Sequence, residues 1–161
     1  MTDANSCVAS QNFTITQPPI LVLTTASQTN VSCNGGSNGA AGVNTATGGA
    51  GSYTYNWTPG NPSGDGTVSV TGLTAGTWTC QVTDANSCTA VQNYTITEPS
   101  LLTATTSQTD VACNGAATGS ATVNPSGGTT AYSYAWTGGG TSATNNGLIA
   151  GSYTCTVTDA N

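Results

Sequence analysis

The chain has 161 residues, six acidic side chains and no Lys, Arg or His, which gives a formal net charge of −6. Without cations to neutralise phosphates or anionic headgroups, a nucleic-acid partner and a basic membrane-docking patch are excluded. So are His- or Lys-based catalytic dyads and triads, and zinc sites with His ligands.

Hydrophobic residues make up 36%, with three Trp and six Tyr, and the polar remainder is mostly Thr, Ser, Asn, Gln and Gly. These strand and turn formers are the composition of an all-β chain. No apolar run approaches the roughly 20 residues of a membrane helix, so no membrane insertion is expected. Met1 is followed by neither a basic n-region nor an apolar h-region, which suggests a segment of a longer chain.

In chain order, residues 2–18, TDANSCVASQNFTITQP, come first and return at 83–99 as TDANSCTAVQNYTITEP, with thirteen of 17 positions identical. Chance would give about one. Period-two alternation then marks half-buried strands: Tyr53, Tyr55 and Trp57 share one face, as do Trp78, Cys80 and Val82, and Tyr94 and Ile96. Turn-forming breaks at CNGGSNG, TGGAG, TPGNPSGDG, TGLTAGT and TDANS divide the repeat. Six strands are predicted, near 20–32, 40–48, 52–58, 66–71, 76–83 and 88–97.

VSCNGG at 31–36 recurs as VACNGA at 111–116, YTYNW at 53–57 as YSYAW at 132–136, and GLTAGTWTCQVTDAN at 72–86 as GLIAGSYTCTVTDAN at 147–161. The second copy is shorter, mainly near TPGNPSGDG. The expected organisation is a lone last strand of a preceding or neighbouring module at 1–18, a complete module at 19–99, and a module lacking its last strand at 100–161. Short antiparallel strands between such turns suggest tandem immunoglobulin-like β-sandwiches. Phe13 and Ile15 are the expected anchors of a strand added to the 100–161 module of the next unit, a head-to-tail contact that generates a fibre. A continuous polypeptide would make the same contacts.

The stretches ITQPPILVLTTASQTNVSCNGGSNG, GSYTYNW, GLTAGTWTCQVTDANSC and YTITEP resemble the SprB repeat of large bacterial surface adhesins. The resemblance implies tandem extracellular β-sandwich modules in a gliding-motility adhesin or a related surface polymer, at the cell surface or secreted, with no catalytic residues and no cofactor. The chain departs from the family in lacking basic residues. It also carries Cys80 and Cys155 where the family more often has a β-branched residue, which points to a specialised structural relative.

The six cysteines, Cys7, Cys33, Cys80, Cys88, Cys113 and Cys155, suit an oxidising setting, and their connectivity stays open. In an up-and-down strand order the end of strand one and the last hairpin share a pole, which favours Cys33–Cys88 and, in trans, Cys7–Cys113. Cys33–Cys80 would resemble an immunoglobulin inter-sheet bridge, with the Tyr-x-Cys of Tyr153 and Cys155 in support. Cys80 equally suits a buried thiol.

Trp57 and Trp136 at strand ends make a surface polysaccharide the alternative partner, although their alternation with tyrosines suits a core. Asp84 with Asn86, and the equivalent pairs Asp3 with Asn5 and Asp159 with Asn161, offer oxygen ligands. They fall short of the six to eight that calcium takes and read as turn residues; no metal is expected. Four N-x-S/T sequons, at Asn12, Asn30, Asn56 and Asn93, are candidate glycosylation sites.

Overall fold

The computed structural model describes residues 5, 8 and 10–161. Eleven β-strands and no helix are found among them. Within 19–99 the strands are β1 (Thr25–Thr29), β2 (Gly39–Val43), β3 (Thr54–Thr58), β4 (Ser69–Leu73), β5 (Gly76–Thr83) and β6 (Thr89–Ile96). They form two antiparallel sheets, β1-β2-β4 and β3-β5-β6. This pairing order is that of strands A-B-E and C-F-G of an immunoglobulin-type sandwich without strand D.

The alternating apolar positions close the space between the two sheets. Ala41, Val43, Val70 and Leu73 come from one, and Trp57, Trp78, Cys80, Val82, Tyr94 and Ile96 from the other, all buried in one cluster. Trp57 is fully buried; its indole N–H donates to the Thr67 carbonyl at 2.9 Å, and its ring centroid lies 5.5 Å from that of Tyr94. The Tyr94 hydroxyl crosses the core to donate to the Gly42 carbonyl at 2.6 Å. Packing and polar satisfaction thus coincide: no described buried side-chain polar atom lacks a partner.

Residues 100–161 repeat the plan with β7 (Thr103–Thr109), β8 (Gly119–Ser126), β9 (Ser133–Trp136), β10 (Thr144–Leu148) and β11 (Cys155–Thr158). Their sheets are β7-β8-β10 and β9-β11. The offset between copies falls from 136 − 57 = 79 at the tryptophans to 144 − 69 = 75 at the starts of β4 and β10. The shortening therefore lies in the connection after β3, as the sequence suggests.

One expectation is corrected. Val31 N–H donates to the Thr97 carbonyl at 2.9 Å, and Gln28 Nε2 to the Thr95 carbonyl at 2.7 Å, so β1 and β6 run side by side in the same direction. The strands are not a simple up-and-down series. β3 and β4 point the same way, and the connection 59–68 carries the chain back along the module. This extra reversal puts the Cys33 loop beside the end of β6, while Cys88 precedes its start. Eight residues of strand, about 27 Å at 3.4 Å each, separate the two, far beyond the 4.4–6.8 Å between Cα atoms that a disulfide needs. The described cysteines are all free thiols; a Cys33–Cys88 bond within a module is ruled out by strand direction, and the reasoning for Cys7–Cys113 falls with it. Cys33–Cys80 fails because Cys33 is exposed in a polar loop and Cys80 is fully buried. Cys7 itself lies outside the described residues.

Candidate functional site

The feature that sets the two modules apart is what β6 covers. In the first module β6 pairs with β5 along its whole length, from Gly76↔Ile96 to Thr83↔Thr89. In the second, among the described residues, β11 has a partner only on the β9 side. The residues equivalent to the first module's core lose their burial accordingly. Leu73, Cys80 and Val82 are fully buried, whereas Leu148, Cys155 and Val157 are half-buried. Of the second module's apolar side chains only Val123 and Trp136 are buried.

Two grooves mark the uncovered space. One, of about 400 Å³, is lined by Thr106, Ala121, Val123, Trp136, Cys155 and Val157, where Tyr94 would stand by analogy. The other, of about 540 Å³, includes Gln108, Val111, Gly119, Leu148 and Tyr153. Its template is the Ile96 site: a Cβ on Gly39 would lie 2.9 Å from Ile96 Cγ2, and Gly119 is the matching glycine.

The polar fittings repeat too. In the first module the backbone after β6 is held by Asn30 Oδ1, which accepts from Thr97 N–H at 3.1 Å. Glu98 accepts from Asn34 Nδ2 at 3.1 Å and from Gly35 N–H at 2.8 Å. Their equivalents are Asp110 in place of Asn30 and Gln17 in place of Glu98. The carboxylate changes sides of the contact but stays single, so neither junction would confront two anions. Gln108, which matches Gln28, donates to Asp110 Oδ1 at 3.4 Å as Gln28 does to Asn30 Oδ1 at 3.3 Å, while Gln28 also reaches the Thr95 carbonyl.

Asp84 fastens the β5–β6 turn. Its carboxylate accepts from Ala50 N–H at 2.8 Å and from Asn86 and Cys88 N–H, both at 2.9 Å. The Ala50 hydrogen bond, with those from Cys88 and Asn86, outweighs desolvation and holds its pKa below the usual carboxylate value. These are turn contacts, as the Asp-Ala-Asn sequence suggests. Asp159 has the corresponding bonds from Thr129 N–H at 2.8 Å and Asn161 N–H at 3.2 Å; the Cys88 position follows Asn161 by two residues in the repeat.

Phe13 and Ile15, the expected anchors, are 83% and 93% exposed, and residues 10–20 belong to no strand. Phe13 aligns with Tyr94 and Ile15 with Ile96. The tryptophans give no sugar platform: Trp57, Trp78 and Trp136 are buried, and their indole N–H groups donate to the carbonyls of Thr67, Thr74 and Ser142. Burial pushes the Cys80 thiol up to about 11, with Asp65 adding to the effect. The four sequon asparagines are all exposed, although Asn93 Oδ1 already accepts from Thr79 Oγ1 at 2.8 Å. Gln108 and Asp110 are absent from the sequence-based candidates, and Asp159 and Asn161 enter there only as turn residues. Aligning every hydrogen-bonding residue around β6 with its copy would have found them.

The family model for the SprB repeat matches residues 25–62 and 105–141. The chain contains two SprB repeats. Each SprB match begins in the first strand of a module and ends just past the third, so it covers the part of the sandwich that precedes the long or shortened connection. SprB repeats are structural rather than enzymatic and occur in cell-surface gliding-motility adhesins, which suggests a surface location for this chain. Neither the curated proteins nor the solved structures gave a match to the chain.

Proposed function

We propose that this chain is the structural unit of an extracellular bacterial filament or adhesin stalk, in which modules join head to tail. The 100–161 module is completed by a strand of the sequence found at residues 8–17, contributed by a second copy or, in a longer chain, by the continuing polypeptide. Phe13 lies on Trp136 as Tyr94 lies on Trp57, Ile15 fills the site beside Gly119, and the backbone extends the β9-β11 sheet. One observation carries this reading: the second module is open at the place where the first holds β6, and residues 8–17 repeat the β6 sequence.

Burying Phe13 and Ile15 contributes about 1.5–3 kcal/mol each, to which main-chain hydrogen bonds add affinity. Ordering the segment's backbone opposes this. The test is sedimentation and electron microscopy of the 161-residue chain with and without a synthetic peptide of residues 8–17. Linear polymers one module wide, capped and shortened by the peptide, are expected. A chain that stays monomeric and fails to bind the peptide refutes strand addition between copies.

A further inference from the structure

The interface between the two modules is built from four loops. Asn34 Nδ2 donates to the Pro99 carbonyl at 3.1 Å, and Gly128 N–H to the Ser100 carbonyl at 2.7 Å, so the tether 98–100 lies between the Cys33 loop of the first module and the 127–129 loop of the second. The turn after β11 closes the other side. Asn161 Nδ2 donates to Thr129 Oγ1 at 2.6 Å and, across the interface, to the Ser32 carbonyl at 2.8 Å. Cys33, exposed, is the next residue after Ser32.

Within the first module, Asp84 Oδ1 accepts both Asn86 N–H and Cys88 N–H, which brings the cysteine back to the turn that its asparagine occupies. The same turn in the second module is Asp159 with Asn161, and Asn161 touches the residue beside Cys33. A cysteine at the next-but-one position therefore arrives at the Cys33 loop. In the array that position is filled by Cys7 of the incoming strand.

We propose that disulfides staple successive modules to each other rather than closing within a module. Cys33 bonds Cys7 of the next copy, which enters with the strand completing the second module. By the same geometry at the other junction, Cys113 bonds Cys88 of the next copy. This rests on the strand addition proposed above. Every exposed cysteine then has a partner, while Cys80 and Cys155 remain core thiols. Each bond forms by thiol–disulfide exchange: two protein thiols are oxidised to one S–S bond, and an external disulfide oxidant takes up the two electrons and two protons and leaves as two thiols.

The experiment polymerises the reduced 161-residue chain, adds oxidised glutathione, and maps cross-linked peptides by mass spectrometry after thermolysin digestion. Free thiols should fall from six to two per chain, with Cys7–Cys33 and Cys88–Cys113 peptides recovered. Cys33→Ser should abolish the first pair and leave the second. Polymers that form but give Cys33–Cys88, Cys7–Cys113 or no cross-links refute the staple and leave strand addition intact. Absence of polymers in reduced and oxidised samples alike overturns both.

Discussion

Replacing Ile15 by alanine separates assembly from folding, because the side chain is 93% exposed in the unit and its counterpart Ile96 is 1% exposed in the completed module. A buried Ile→Ala change costs about 2–5 kcal/mol, depending on how far the site collapses. The groove beside Gly119 is open at the end of the module, where neighbours can relax, so the lower part of that range, about 2–3 kcal/mol, applies. At tenfold per 1.4 kcal/mol, the critical concentration for polymerisation rises about 30- to 150-fold. Sedimentation of a concentration series measures it directly, and the melting temperature of the unpolymerised chain should not move. Ile96→Ala supplies the internal comparison: the same atoms are lost, but the cost appears as destabilisation of the first module. An Ile15→Ala chain that polymerises at the original concentration, or that melts earlier as a monomer, refutes the assignment of this side chain to the Ile96-like site.

Cys155 reports the same event without mutation: iodoacetamide should label it in the unpolymerised chain, where it is half-buried, and lose access after assembly, while Cys80 stays unlabelled under native conditions in both. Acid should destabilise the first module through Asp84. Its folded pKa lies below the unfolded value of about 3.9, so the stabilisation is complete above that value and is lost as pH falls through the folded pKa. Asp84→Asn should flatten this acid limb in pH-dependent melting. Trp57→Phe removes the 2.9 Å bond to Thr67 and leaves a void in a fully buried site, at a cost of about 2–4 kcal/mol, read as a lower midpoint in urea. Salt should hardly change the melting temperature of the wild-type chain, since it has no Lys, Arg or His to form side-chain ion pairs.

The strands were legible because period-two alternation survives in a chain with so few charges. Tyr55, Trp57, Trp78, Cys80 and Tyr94 each sit on the face the pattern predicts. The early part of the first predicted strand is not strand: residues 20–24 are tied down by the Val22↔Thr47 bridge and by the bond from Asn44 N–H to the Thr24 carbonyl at 2.9 Å before β1 begins at Thr25. Strand direction was not legible. TPGNPSGDG has the composition of a tight turn, yet in the structure residues 59–68 return the chain along the module, held by Asp65 Oδ1 accepting from Trp57 N–H at 2.8 Å and by the Ser63↔Thr71 bridge. Turn chemistry shows where a strand ends, not how far the chain travels before the next one, and one hidden reversal was enough to move Cys88 to the far pole. The open edge was foreseeable because it follows from counting strands. The residues around it were not, because Asp110 and Gln17 look unremarkable until paired with Asn30 and Glu98.

The parallel run of β1 beside β6 has a mechanical consequence. The chain enters the first module at one pole, where Gly49 N–H holds the Pro19 carbonyl at 2.9 Å, and leaves at the other, where Thr97 is tied to Val31. Tension along such a stalk would slide β6 lengthwise past its neighbours, so the rungs between β5 and β6 would share the load and break together instead of peeling one at a time.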